Sequence, residues 1–401
     1  MSKILFQLAF EMIETIKKAG FQAYVVGGAV RDYLLNKEVN DIDIASSAIP
    51  TQIQEIFDQV IPVGIEHGTV IVRYKHQSFE VTTFRSEQGY SDYRRPDRVT
   101  FVNSITDDLA RRDFTINAMA MTEDSVLVDP FDGQADLASK MIKAVGNPVE
   151  RFTEDPLRML RAIRFVSQLN FNLDRNTWEE IKNNAALIEK LSIERITVEI
   201  EKMFQGKALK KAIDYCYQAR LFSHLPIFKS KENMIDHILT VEQPFIELID
   251  LFVYLTIITN EEITINQWCQ AYKLSNKAKN SGESLKHLIQ LYKDEQLSRQ
   301  LVYHLPSELD DRFISLIQRV YQHSVSQAMI DQIRRQLPIT NRREIKMNGH
   351  DLQLLYPGKP RGEWIRDYLT SVEERIIDGS LENDFEKIKE WILKCHPPVN
   401  N

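Results

Sequence analysis

Two aspartates one residue apart, Asp41 and Asp43, are the side chains of this 401-residue sequence best spaced to do chemistry. On an extended chain, positions i and i+2 share a face, so both carboxylates project together while Ile42 and Ile44 turn toward a core. Neighbouring carboxylates repel unless a cation lies between them, and a divalent metal is the common solution. Upstream lies Gly27-Gly28-Ala29-Val30-Arg31-Asp32. Its glycines permit a tight turn and a close approach of backbone N–H groups to a ligand, a natural seat for phosphate. A phosphate seat beside a hard-metal site points to phosphoryl or nucleotidyl transfer.

The elements that must position these groups are short. Residues 23–26 (Ala-Tyr-Val-Val) predict a buried strand, and 30–35 predict a helix whose start faces the glycines. Residues 1–20 carry apolar side chains at helical spacing, with Lys17 and Lys18 near the end and Gly20 as a stop. This is not the uninterrupted apolar run of a signal peptide. Pro50 opens a helix reaching about Gln59. Residues 70–74 and 79–84 predict a hairpin, and Glu80 is a candidate third carboxylate on the Asp41/Asp43 side. His67 reads as a turn residue rather than a base. The polar stretch 86–98 predicts a long mobile loop between two strands.

Cationic residues gather in three further places. Arg111 and Arg112, followed by Asp113 and Asn117, form a cluster suited to an anionic ligand, because the guanidinium fork binds phosphate or a base edge bidentately. In residues 154–165 a predicted helix with Pro156 in its first turn aligns Arg158, Arg161 and Arg164 in one stripe. Asp155 lies beside Arg158 on the same wheel, and Met159, Ile163 and Val166 lie opposite. The segment 341–366 carries Arg342, Arg343, Lys346, Lys359, Arg361 and Arg366 against three acids. From about Ala208 the pattern is helical and strand signals are sparse.

Composition bounds the rest. The length predicts two to four domains. The hydrophobic content of 43% and charged content of 27% are those of a globular protein. No apolar run is long enough for a membrane. Three widely separated cysteines fit a reducing cytoplasm and no zinc motif. A net charge of −7 argues mildly against a general nucleic-acid coat and points nucleic-acid contact to local basic stripes.

The order strand, G-G-x-V-R-D, D-x-D, then R-R-D-x-x-x-N-A and E-D-x-x-R-x-x-R, resembles the class II branch of the nucleotidyltransferase superfamily, which holds tRNA nucleotidyltransferases and bacterial poly(A) polymerases. Residues 193–204 resemble its fifth motif, which braces the neck, and the N-G-x-D-L…P-G-x-x-G-x-W pattern near the C-terminus is similar to that of tRNA nucleotidyltransferases. The resemblance covers the whole chain. It implies an α+β protein with a catalytic head (1–146), a helical neck that selects nucleotide (147–206), a helical body (207–285) and a helical tail that binds tRNA (286–401).

The implied activity is CCA addition to the 3′ end of tRNA from CTP and ATP. An A-adding enzyme or a bacterial poly(A) polymerase is the nearest alternative, and a noncatalytic RNA- or nucleotide-binding protein the remote one. By this resemblance Asp41 and Asp43 hold two Mg²⁺ ions, one acting on the tRNA 3′-hydroxyl and one on the triphosphate. Gly28, Arg31, Arg112, Asp155, Arg158, Arg161 and Arg164 bind and select the nucleotide, with Gly27, Asp32, Glu80, Arg111, Asp113 and Asn117 as accessories. Asp155 and Arg158 stand where the family uses side chains as a template for the base. Aspartate accepts from an exocyclic amino group and arginine donates to a ring nitrogen or carbonyl, so the pair suits C and A and rejects G and U. Arg342, Arg343, Lys346, Lys359 and Arg361 are the implied grip on the tRNA elbow. The resemblance leaves the oligomeric state open, a homodimer included, and implies a cytoplasmic protein.

Overall fold

The computed structural model describes residues 2–90, 93, 96–231, 233–259 and 262–395. Backbone proximity divides the chain into two compact units. One is Met1–Pro244 with Ala271–Lys273, and the other is Phe245–Gln270 with Leu274–Asn401.

The first unit begins with α1 (Ser2–Lys18), which buries Leu5, Ala9, Met12, Ile13 and Ile16 along one face. It continues through β1 (Ala23–Val26), α2 (Gly28–Leu34), β2 (Asp43–Ser46), α3 (Pro50–Ile56) and β3 (Val60–Gly64). Next come β4 (Thr69–Tyr74), β5 (Gln77–Thr83), β6 (Arg85–Gln88), β7 (Arg98–Phe101) and α4 (Ile105–Ala110). Then come β8 (Ala120–Met121), β9 (Leu127–Val128), α5 (Gly133–Ala138) and β10 (Met141–Ile142).

Seven strands form one mixed sheet in the order β3-β4-β5-β2-β1-β8-β9. All its pairs are antiparallel except β2 with β5. That parallel pair matters for the site, because it sets Asp43 opposite Glu80. Beneath it a core of Val26, Ala45, Phe84, Leu109, Ala118 and Ala120 fixes the strand ends that carry the site.

The first unit continues with α6 (Pro148–Glu154), α7 (Leu157–Leu169), β11 (Asn172–Leu173), α8 (Arg175–Asn184), α9 (Ile193–Phe204), α10 (Leu209–Gln218) and α11 (Asn233–Leu239). The β11 strand pairs in parallel with β10. Met159, Ile163 and Val166 of α7 are fully buried, as its periodicity predicts.

The second unit is helical throughout its described residues. It comprises α12 (Leu248–Ile258), α13 (Ile265–Ala271), α14 (Asn276–Glu295), α15 (Arg299–His304), α16 (Asp310–Tyr321), α17 (Gln327–Arg335), α18 (Gly349–Leu355), α19 (Glu363–Asp378) and α20 (Phe385–Cys395). Among the described residues no helix is long and apolar enough to cross a membrane.

Four details differ from the sequence reading. The helix at Pro50 ends at Ile56, three residues before Gln59. The edge strand β3 was not foreseen, because Pro62 interrupts it and Ile61 and Val63 are exposed. The stretch 86–98 is a hairpin: β6 and β7 pair antiparallel, Ser86 with Thr100 and Gln88 with Arg98, so its ends are strand. Residues 91, 92, 94 and 95 of that stretch lie outside the described residues. Finally, Asp155 is not helical. It links α6 to α7 in an extended conformation (φ −141°, ψ 97°) because Pro156 follows it and disfavours the helical region.

Candidate active site

The site grows from the junction of β1 and α2. Gly27 has φ +73°, and a Cβ there would meet Arg112 Nη1 at 2.8 Å, so only glycine fits both the turn and the arginine beside it. Gly28 opens α2 directly. Across the sheet, Asp41 precedes β2 and Asp43 is its first residue. Both are exposed while Ile42 and Ile44 are buried, which is the predicted alternation.

Asp43 reaches solvent at the cleft mouth but is crowded by protein on its other sides, and this desolvation, then Glu80 and Asp41, push its carboxyl up to about 6, against the pull of Arg112. Glu80 therefore stands beside Asp43, as the sequence suggested. No group of three or more His, Cys, Asp or Glu side chains among the described residues is gathered to hold a metal ion. The donor chemistry still fits Mg²⁺, which takes one or two carboxylates and fills its remaining positions with water and substrate phosphates.

A cavity of about 440 Å³ lies over this edge. Gly27, Gly28, Arg31 and Asp43 line it from the sheet side, Arg111, Arg112, Asp113 and Asn117 from the segment after α4, and Asp155, Arg158, Arg161 and Arg164 from α7 and the link before it. All twelve were singled out from sequence as catalytic, binding or accessory groups around a phosphate site. The Phe165 ring supports them from below, with the guanidiniums of Arg164, Arg31 and Arg161 at 4.1, 5.0 and 5.7 Å from its centroid.

The arginines do not float in the cleft. Arg31 donates to Asn117 Oδ1 at 2.7 Å and to both carboxylate oxygens of Asp32. Asn117 in turn donates to Asp113 Oδ1 at 3.0 Å, and Arg161 Nε donates to Asp113 Oδ2 at 2.8 Å. Burial works to raise the Asp113 carboxyl, but Arg161, Asn117 and the Phe114 amide together hold it well below the usual carboxylate range. Arg158 donates to Glu154 at 2.7 Å and to the carbonyls of Arg151 and Arg111. Arg111 and Arg112 both pair with the buried Asp108. Each cation is thus fixed in direction before any ligand arrives.

Four lining residues escaped the sequence reading: Glu87, Leu157, Phe165 and Arg195. Glu87 sits on β6 and accepts from Arg85, Arg111 and Tyr90. Its strand looked like solvated loop because it carries no apolar alternation. Arg195, on the bracing helix α9, donates to Asp155 Oδ2 at 2.6 Å. Its signal was a charged residue on an amphipathic helix, which usually marks a solvated face. Asp155 also accepts from the Leu157 amide, so it lies beside Arg158 as a cap rather than as a member of the helix wheel.

The predicted RNA-contacting residues belong to the second unit. Arg343, Lys346, Lys359 and Arg361 are exposed. Lys359 lies over the Trp364 ring at 4.7 Å, and Arg342 is drawn into its own fold by the Arg366 carbonyl and Thr370.

A mixed sheet that presents Asp43 and a glycine turn to an arginine-lined cavity, which Asp41 does not line, makes this chain a nucleotidyltransferase, and residues 23–143 match the Poly A polymerase head domain family. Residues 245–392 match the family of tRNA nucleotidyltransferase domain 2. The chain is 42% identical to the CCA-adding enzyme of Oceanobacillus iheyensis over 99% of both chains. It is 38% identical to that of a Geobacillus species (strain WCH70), over 97% of this chain and 96% of the relative. The crystal structure of the Bacillus stearothermophilus CCA-adding enzyme in complex with CTP superposes with a TM-score of 0.88, at 33% identity over 97% of each chain. The chain belongs to the CCA-adding enzyme family.

Proposed function

We propose that this protein builds or repairs the 3′-terminal CCA of tRNA from CTP and ATP without a nucleic-acid template, releasing pyrophosphate. The observation that carries the reading is the meeting of Asp155 and Arg158 with Asp43 and the Gly27-Gly28 turn around one cavity. Base selection and phosphate chemistry then fall within one nucleotide's reach.

Enzymes of this family need a divalent metal. Two Mg²⁺ ions held by Asp41 and Asp43 would supply Lewis acidity to the tRNA 3′-hydroxyl and charge neutralisation to the triphosphate. The chain's own groups do the rest. Gly28, Arg31 and Arg112 bind the triphosphate, with Gly27 leaving room for Arg112. Arg161 and Arg164 add positive charge along the cleft, and Asp113, Asn117 and Asp32 keep those guanidiniums oriented. Asp155 accepts from the base amino group while Arg158 donates to the adjacent ring nitrogen, a pattern shared by C and A alone. Head (1–146), neck (147–206), body (207–285) and tail (286–401) divide the labour as catalysis, selection, support and tRNA binding. Arg343, Lys346, Lys359 and Arg361 hold the tRNA backbone, and the enzyme works in the cytoplasm.

The test is extension of a labelled tRNA transcript lacking its 3′ end, in Mg²⁺, with CTP alone, ATP alone and both. The expected products are two added Cs with CTP and a terminal A only with both. A long A tail, a stop at CC with both nucleotides present, or addition of A only to a transcript already ending in CC would overturn the reading.

A further inference from the structure

We propose that Arg195 is a positioning residue that sets nucleotide specificity by holding the Asp155 carboxylate in a fixed orientation. The inference rests on the assignment of Asp155 to base selection made above. Asp155 stands on the extended link between α6 and α7, so no helix geometry dictates its side chain. Two donors do. The Leu157 amide binds Oδ1 at 3.1 Å, and Arg195 Nη2 binds Oδ2 at 2.6 Å. Arg195 comes from α9, 40 residues further along the chain, and both residues line the cavity.

The chemistry of that contact bears directly on selection. A carboxylate only accepts hydrogen bonds, so it reads the base edge only where its oxygens face the amino group that C and A carry and that U and G replace with a carbonyl. A guanidinium on Oδ2 holds the carboxylate in one orientation and still leaves lone pairs on both oxygens for the base. One turn along α9, Glu199 serves the opposite sign. It is buried, and its carboxylate lies 2.6 Å from Arg164 Nε and 3.9 Å from Arg161 Nη1. The helix thus sends a cation to the acid of the cleft and an anion to its arginines, beyond any bracing of the neck.

The experiment measures kcat and KM for CTP and for UTP on a tRNA transcript lacking CCA, with wild type, Arg195→Ala and Arg195→Lys. Each Arg195 variant is also made in an Asp155→Ala background. Loss of a charge-assisted contact predicts a fall of about tenfold or more in the CTP-over-UTP preference of Arg195→Ala, expressed mainly in KM. Arg195→Lys should restore part of it, and the Asp155→Ala background should abolish the effect of either change. Equal losses for CTP and UTP, with the preference intact, would make Arg195 a scaffold residue and overturn the inference alone. So would failure of both single variants to fold. A wild-type enzyme that incorporates no CTP would overturn the parent reading and the inference together.

Discussion

The cleft of the first unit and the basic segment 341–366 of the second hold similar charges in opposite ways. In the cleft, local pairs such as Arg158 with Glu154 are joined by partners from far along the chain. Arg31 meets Asn117 86 residues away, Arg161 meets Asp113 48 residues away, and Arg195 meets Asp155 40 residues away. In the segment, Arg366 pairs with Glu363 three residues back, Lys359 rests on the ring of Trp364, and Arg343 and Arg361 stay exposed. The first arrangement pins each group in one direction, as reading a base edge requires. The second leaves long side chains solvated and adaptable, which suits a repeating phosphate backbone and carries no sequence information.

The sharpest way to break this contrast is at the edge that carries Asp41 and Asp43. Asp41→Ala combined with Asp43→Ala should abolish nucleotide incorporation while tRNA affinity stays within about twofold, because backbone binding does not pass through those carboxylates. Filter binding and single-turnover extension separate the two. Intact incorporation would remove the metal assignment.

Next in size is Arg161→Ala. It strips the cation from a fully buried carboxylate, and breaking such a pair costs about 3 kcal/mol, readable in urea unfolding. The pH dependence has a defined sign. Wild-type Asp113 titrates below its ordinary value, so its contribution is complete above the unfolded value of about 3.9 and is lost as pH falls through its lower folded value. In the variant, burial without Arg161 raises the folded value, so stability returns on acidification. The gap between wild type and variant should therefore narrow below about pH 4. A gap that is independent of pH would show that the pair does not act electrostatically.

Gly27→Ala should be smaller but still local to the cleft. A methyl at φ +73° meets Arg112 Nη1 at 2.8 Å, so the backbone is strained and the guanidinium is displaced. A stability loss of about 1–2 kcal/mol should accompany a raised KM for both nucleotides. An unchanged KM would detach Arg112 from the triphosphate.

The smallest effect is expected in the tail. Arg343→Ala with Arg361→Ala should leave stability within about 0.5 kcal/mol. The slope of log tRNA affinity against log salt should become shallower by about 1 to 2. An unaltered slope would remove these two residues from the RNA surface.

What the sequence made legible was local. The strand, the glycine turn, the alternation around Asp41 and Asp43, and the apolar face opposite Arg158, Arg161 and Arg164 each follow from neighbours within a few positions. Asp155 was misplaced on the helix wheel although Pro156 beside it forbids that placement, a local rule overridden by the pull of the arginine periodicity. Arg195, Glu199 and Glu87 were beyond reach for another reason. Each looks solvated in its own segment, and only tertiary packing turns it toward the cleft. Composition likewise groups Arg342 with the proposed RNA-contacting residues, and the ties of this exposed side chain to Thr370 and the Arg366 carbonyl were not legible there.

The most direct test of the central claim is whether side chains of this cleft read the base. Each of the four nucleoside triphosphates should be offered separately to wild type and to Asp155→Ala, with one tRNA transcript ending before CCA and another ending in CC. Wild type should add C to the first, add A to the second and reject UTP and GTP on both. The variant should lose that discrimination by about tenfold or more, the value of one charge-assisted contact. A variant that is slower with every nucleotide but equally selective would contradict the account and move base selection away from Asp155.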